Sequence, residues 1–134
     1  MSLTIQSIRE MRAEFNARLG AQTLEAVAKR LHTEYPDATH LVLDRNSRDS
    51  DNCVYRADYL YRVNADGDFD APLDVEIDLI ITPGDDHWPA TSTANLVSEI
   101  TSAQWDALQE MHPELFGPDV FCDGSLNLIL NRKA

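Results

Sequence analysis

The chain has 134 residues, of which 43% are hydrophobic, and its 23 acidic and 11 basic residues give a formal net charge of −12 at pH 7. This length fits a single domain, residues 1–134, and the composition excludes a disordered or low-complexity chain. The negative charge repels nucleic acid and anionic membranes, so we expect no direct contact with either.

Apolar residues at helical spacing run through the first 35 residues. A first series recurs at intervals of three or four: Ile5, Ile8, Met11, Phe15 and Leu19. After Gly20, a second series of this kind contains Leu24, Val27, Ala28 and Leu31 and ends before Pro36. The spacing predicts amphipathic helix on both sides of Gly20. It fits one helix bent at Gly20 and equally two helices separated there.

Four strands are predicted after this helical region, over residues 39–44, 53–63, 73–82 and 94–100. The connecting segments are short and rich in turn residues, which favours hairpins and a largely antiparallel sheet. Thr101 and Gln104, at capping-box spacing, predict the start of another helix, and residues 125–131 predict a last strand. This order predicts a two-layer α+β fold, with an N-terminal helix or helix pair and a second helix on one face of a mostly antiparallel sheet of about five strands.

The predicted strand over residues 53–63 contains several aromatic residues. Strict alternation places five side chains on one face of this strand: Tyr55, Ala57, Tyr59, Tyr61 and Val63. Such a row resembles a platform on which nucleic-acid bases stack, but the surrounding negative charge opposes that use. We therefore interpret it as a face packed against the helices.

Residues 66–78, DGDFDAPLDVEID, contain six carboxylates and no cation. An EF-hand calcium loop is excluded, because the glycine and glutamate of such a loop are missing at the required spacing. Mimicry of duplex DNA needs a charge per ~1.7 Å of axis, whereas alternate side chains on a strand lie ~6.6 Å apart. A partial mimic therefore needs further acids from neighbouring loops. Without them, a solvated sheet face explains the charge.

A second polar cluster is formed by Asp85, Asp86 and His87, next to Trp88. A carboxylate beside an imidazole can bind a metal or act as a general base. The preceding Pro-Gly pair makes an ordinary turn the favoured interpretation. Asp85, Asp86 and His87 are therefore weak candidates for a metal or enzyme site, and no cofactor is predicted.

Cys53 and Cys122 lie far apart and lack CxxC spacing, so we interpret them as free, buried thiols, with one long-range disulfide as the alternative. The chain has no P-loop, no GxSxG motif and no dinucleotide-binding fingerprint, which favours a non-enzymatic role. Residues 1–30 lack the apolar segment of a signal peptide, and no stretch approaches the ~18 apolar residues of a membrane span. A cytoplasmic location is therefore expected.

The functional hypothesis is an acidic, non-enzymatic interaction module that docks on a basic surface of a partner protein. A nuclease or another nucleic-acid-handling protein is a suitable partner, and the module is then an inhibitor of the immunity, anti-restriction or anti-CRISPR type. The expected contact residues are acidic: Asp66, Asp68, Asp70, Asp74, Glu76, Asp78, Asp85 and Asp86. One alternative is a small enzyme or ligand- or metal-binding protein with its site near His87. Another is a homo-oligomeric structural protein, such as a homodimer, that pairs through its N-terminal helix or its final strand.

Overall fold

The computed structural model describes residues 4–45, 54–63, 69–73, 75–117 and 125–130. Its elements follow in chain order: α1 (Ile5–Glu34), β1 (His40–Arg45), β2 (Tyr55–Val63), β3 (Phe69–Leu73), β4 (Ile80–Thr82), β5 (Thr91–Ser92), α2 (Thr93–Ser98), α3 (Ser102–Met111), a 3-10 helix (Pro113–Leu115) and β6 (Leu126–Ile129). Within these ranges, an antiparallel sheet has the strand order β3-β2-β1-β6, and β4 pairs with β5. The predicted α+β class, with a long N-terminal helix packed on an antiparallel sheet, is confirmed.

The first helix, α1, is one continuous helix of 30 residues. Thr4 caps its start, because Thr4 Oγ1 accepts a hydrogen bond from Ser7 N at 3.0 Å. Gly20 is buried, and a Cβ added there would lie 2.5 Å from Leu108 Cδ1 of α3. Gly20 is therefore a point of close contact between α1 and α3, and it does not divide the helix.

The core lies between the helices and one face of the sheet. Its largest fully buried side chains come from all three helices, β1, β2, β6 and the α2–α3 connection: Leu24, Val27, Leu31, Leu41, Leu43, Leu60, Val97, Ile100, Trp105, Leu108 and Leu128. Trp105 packs edge-on against Tyr55, with ring centroids 4.8 Å apart. Full burial of side chains of this size contributes about 1.5–3 kcal/mol each, so this cluster holds the helices on the sheet.

The strand predicted at residues 94–100 is wrong, because this segment forms α2. Ser92 caps the helix, and its Oγ accepts a hydrogen bond from Asn95 N at 3.3 Å. Val97 and Ile100, three residues apart, are both buried, which is the spacing of one helix face. The cap at Ser92 is the local signal that distinguishes this helix from a strand.

The strand predicted at residues 73–82 is interrupted between β3 and β4. The buried Thr93 of α2 makes hydrogen bonds there that a neighbouring strand would otherwise make. Its Oγ1 donates to Ile77 O and accepts from Leu79 N, and its backbone N donates to Leu79 O at 2.9 Å. Thr93 thus takes the place of the backbone hydrogen bonds that a neighbouring strand would make to residues 77–79. The alternation of apolar and polar residues in the sequence does not reveal this contact.

In β2, the strand is confirmed but the prediction that its aromatic residues share one face is wrong. Leu41 and Leu43 of β1, two residues apart, lie opposite Leu60 and Ala57, which are three residues apart. The extra residue is a β-bulge, and it reverses the alternation of faces beyond it. As a result, Ala57 and Leu60 both pack toward the core, whereas Tyr61 lies on the other face of the sheet.

Candidate interaction surface

The first half of α1 carries a row of large apolar side chains that face solvent. We term this row the α1 stripe, and its members and their exposed fractions are Ile5 73%, Ile8 45%, Met11 57%, Phe15 59% and Leu19 37%. The row is ~21 Å long, since a helix rises ~1.5 Å per residue. An exposed apolar patch of this kind typically marks a protein–protein contact.

The α1 stripe lies on the side of α1 that points away from the rest of the fold. The residues that α1 buries are small around its midpoint, namely Ala17, Gly20 and Ala21, and larger from Leu24 onward. At about 100° per residue, the centre of the stripe is roughly 160° around the helix axis from this buried face. The first half of α1 therefore has two apolar faces, and α3 packs on the one with small residues.

The acidic side chains in the first half of α1 face the groove between α1 and α3. A cavity of about 650 Å³ in this groove is lined by Glu10 and Glu14 of α1 and by Glu110 and Met111 of α3, together with Ile5. Met111 is itself 39% exposed and extends the apolar surface toward α3. Arg9 lines the same cavity, so this groove carries charges of both signs.

In the first half of α1, the charged side chains nearest the α1 stripe are cationic. Arg12 and Arg18 are exposed. Arg12 lies roughly 40° from the centre of the stripe, between Leu19 and Ile5, and Arg18 lies roughly 80° from it on the other side. Neither arginine forms an ion pair within the described part of the chain. Residues 1–36 carry four acids and five bases, so the stripe lies in a nearly neutral region of an otherwise acidic chain.

The acidic residues that the sequence predicts as partner contacts do not all fall in the described ranges. Three of them lie outside those ranges, as do both cysteines: Asp66, Asp68, Asp74, Cys53 and Cys122. Asp70 belongs to β3. Glu76 and Asp78 are exposed on either side of Ile77, which is half-buried against the core. Half-buried apolar residues and exposed acidic residues thus alternate along this segment.

The cluster at residues 85–87 forms a turn. Asp85 Oδ1 accepts hydrogen bonds from the backbone N of His87 and of Trp88, both at 2.8 Å, and these bonds hold the pKa of Asp85 below its usual value. Asp85, Asp86 and His87 are all exposed. The described residues contain no group of three or more His, Cys, Asp or Glu side chains placed to hold a metal ion. The Asp85 carboxylate is engaged with its own backbone, which supports the turn interpretation.

A buried polar network joins β1, β2 and β6, and no sequence motif indicates it. The Tyr61 hydroxyl donates to Asn127 Oδ1 at 3.0 Å, and the Tyr61 ring stacks on His40 with centroids 5.1 Å apart. Thr39 Oγ1 lies 2.8 Å from His40 Nδ1. Burial, with a smaller effect of Tyr59, raises the pKa of Tyr61 to about 12, and burial lowers the pKa of His40. Both side chains are therefore neutral at pH 7, as expected of a network that fixes strand pairing.

A smaller cavity, of about 290 Å³, lies between α1 and β6. Its apolar lining includes Leu24, Leu115 and Leu128, and its polar lining includes Lys29 and His32. Within the described residues, His32 Nδ1 is buried without a hydrogen-bond partner. Ligand pockets typically measure about 300–1,000 Å³, so this cavity gives little support to a small-molecule site.

The last strand, β6, is the other surface that the sequence offers for pairing with a second copy. It lies at the edge of the sheet, but part of its outer side is already used. Phe116 forms a β-bridge with Leu128, and Gly117 N donates to Asn127 O at 2.8 Å. The α1 stripe is therefore the more accessible of the two surfaces.

Comparison with known proteins adds no further guide to function. No family model, curated protein or solved structure matches the chain. Among the helices that the structure describes, none has the length and apolar character needed to cross a bilayer.

Proposed function

We propose that this chain is a non-enzymatic protein-interaction module that binds a partner protein through the α1 stripe. The supporting observation is that five large apolar side chains, 37% to 73% exposed, share one side of a single helix. Anchors spaced by three and four residues are the usual way in which a helix docks into an apolar groove.

The free energy available from the α1 stripe is moderate. Full burial of a large apolar side chain contributes about 1.5–3 kcal/mol, and roughly half of each of these five remains to be buried. Complete coverage therefore contributes on the order of 4–8 kcal/mol. Association costs about 4–15 kcal/mol in lost translational and rotational freedom. A partner that binds stably must therefore make contacts around the stripe as well.

A second proposed surface for the same class of function is the set of acidic residues that the sequence predicts as partner contacts, which we term the acidic face. On this proposal, its carboxylates dock on the basic surface of a partner, as in an inhibitor of a nuclease or another nucleic-acid-handling protein. The exposure of Glu76 and Asp78 beside a core-packed residue supports it, because both carboxylates stay in solvent at positions that the core holds in place. Charge of this kind mainly speeds association, and added salt weakens its effect.

A matched pair of isoleucine substitutions tests the α1 stripe. Ile8 and Ile80 are 45% and 50% exposed, and only Ile8 belongs to the stripe. Tagged wild-type protein, Ile8→Ser and Ile80→Ser are each used to capture partners from a lysate of the source organism. We expect wild type and Ile80→Ser to retain a stoichiometric partner that Ile8→Ser loses. Equal retention by the two variants contradicts docking through the stripe.

A charge substitution tests the acidic face in the same assay. The variant Asp74→Asn, Glu76→Asn, Asp78→Asn is expected to release a partner that docks on these carboxylates, and about 0.5 M salt should release it as well. Loss in this variant with retention by Ile8→Ser identifies the acidic face, and the reverse result identifies the α1 stripe. If neither variant loses the partner, both surfaces are wrong.

A further inference from the structure

We infer that the partner of the α1 stripe presents an apolar groove between two helices, with carboxylates along its rim. This inference rests on the proposed function, because it names the chemistry of the partner that the stripe accepts. It is supported by the width of the stripe and by the charges nearest to it.

The α1 stripe is broader than the contact strip of a two-helix coiled coil. From Met11 to Ile5, its members cover about 120° of the helix circumference. A coiled-coil seam uses only the narrower strip of a and d positions, whereas an arc of about 100° or more is typical of a helix packed on a broader surface. A groove between two helices provides a surface of this width.

The charges nearest the stripe favour carboxylates on the partner. Arg12 and Arg18 are exposed and form no ion pair within the described residues. Glu10 and Glu14 lie further around the helix, roughly 160° and 120° from the centre of the stripe. A guanidinium group binds a carboxylate through paired hydrogen bonds, so an acidic rim complements these arginines and a basic rim repels them.

A second copy of this chain fits the α1 stripe less well. Antiparallel pairing centred on residue 12 places Ile5 of one copy against Leu19 of the other and brings the two rows together. The same register places Arg12 beside its counterpart in the other copy, and each copy carries a net charge of −12. Like charges placed together oppose association.

A lipid surface also fits less well. An amphipathic helix with basic residues beside its apolar face commonly lies on membranes, where anionic lipids attract it. In this chain, the net charge of −12 opposes approach to an extended anionic bilayer, whereas the rim of a groove places only a few carboxylates, close to Arg12 and Arg18. The observations therefore favour a protein groove as the occupant.

Designed helical hairpins test the chemistry of the groove. Three hairpins share a leucine-lined groove and differ only in their rim residues, which are Glu, Gln or Lys. Their binding to the full chain is measured by fluorescence anisotropy at about 0.15 M salt, at which charges more than about 8 Å away are largely screened. We expect the Glu hairpin to bind roughly tenfold or more tightly than the Lys hairpin, with the Gln hairpin between them. The variant Arg12→Glu, Arg18→Glu is expected to reverse this order.

A charge-matched variant controls for net charge. Arg45→Glu, Arg56→Glu changes the net charge of the chain by the same amount at exposed positions of β1 and β2, and it should keep the wild-type order. Circular dichroism and thermal melting verify that each variant is folded.

Other outcomes overturn the inference in distinguishable ways. Equal affinity for the three hairpins, with binding lost in Phe15→Ser, rejects the acidic rim and keeps the α1 stripe as a docking surface. Self-association that Phe15→Ser abolishes, seen by sedimentation, assigns the stripe to a second copy. Binding to phosphatidylserine vesicles that Phe15→Ser abolishes assigns it to lipid. Failure of every hairpin to bind also rejects the inference. The capture experiment with Ile8→Ser and Ile80→Ser then tests the proposed function independently of it.

Discussion

The two halves of α1 carry apolar residues at the same helical spacing, but their large side chains lie in different environments. Before Gly20 they face solvent, whereas after it Leu24, Val27 and Leu31 are fully buried in the core. The difference follows from the neighbouring elements. At Gly20, α3 approaches α1 so closely that only small side chains fit between them, and the later residues reach the wider core above the sheet. Helical spacing thus predicts an apolar face but does not reveal what covers it.

Truncation of one large side chain in each half of α1 tests this difference in environment most directly. Leu24→Ala removes a fully buried side chain, so we expect the free energy of unfolding to fall by about 2–5 kcal/mol. Met11→Ala removes a side chain of similar size that is 57% exposed, and a loss of less than about 1 kcal/mol is expected. Chemical denaturation measures both. Similar losses would show that the α1 stripe supports the fold itself.

Substitution of Gly20 tests how closely α3 packs on α1 at the boundary between the two halves. A Cβ at this position would meet Leu108 Cδ1 at 2.5 Å, so Gly20→Val overpacks the contact with α3. We expect the free energy of unfolding to fall by about 1–3 kcal/mol. Gly20→Ala should cost less, because about 1 kcal/mol of helix propensity offsets part of the rearrangement of Leu108. A valine variant as stable as wild type would show that α3 can move away from α1 at no cost.

The N-caps of α3 and α1 are expected to differ in the same way, with smaller effects on the free energy of unfolding. Thr101 caps α3, which contributes Trp105 to the core, so Thr101→Ala is expected to lower the free energy of unfolding by about 1 kcal/mol. Thr4 caps the end of α1 at which Ile5 and Ile8 face solvent. Thr4→Ala should therefore fray the first turn with little effect on global stability. Hydrogen exchange of the first-turn amides, measured with the melting temperature, tests this, and an equal global loss in both variants would contradict it.

Much of the fold is predictable from the sequence because local patterns determine it. The capping box of Thr101 and Gln104, the strands β1 and β2 and the final strand β6 all agree with the predictions. The wrong strand at residues 94–100 has a local cause, the cap at Ser92, whereas the other two errors arise where one segment depends on another that is distant in sequence. The side chain of Thr93 replaces a neighbouring strand between β3 and β4, and the bulge in β2 exists only relative to β1.

The candidate surface is less predictable than the fold. The spacing of Ile5, Ile8 and Phe15 identifies a helix face, but its exposure depends on how α3 crosses α1, which the sequence does not specify. The buried network of Tyr61 and Asn127 likewise forms between strands far apart in the chain. In contrast, the turn at Asp85 is predictable, because its hydrogen bonds are all local.

Two histidines, the half-buried His40 and the exposed His87, also differ in their environment. Substitution of His40 is expected to change the free energy of unfolding least among these variants. Burial lowers the pKa of the half-buried His40 from its ordinary value of 6.5, so the unfolded chain binds this proton more readily than the folded chain. The stabilising contribution of neutral His40 is therefore complete above pH 6.5 and is lost as the pH falls through the folded-state pKa. His40→Gln should flatten the dependence of the unfolding free energy on pH in this range. His87→Gln, the same substitution at an exposed position, serves as the matched variant for the loss of an imidazole. Denaturation at a series of pH values measures this, and a His40→Gln profile as steep as that of wild type would show that another group is responsible.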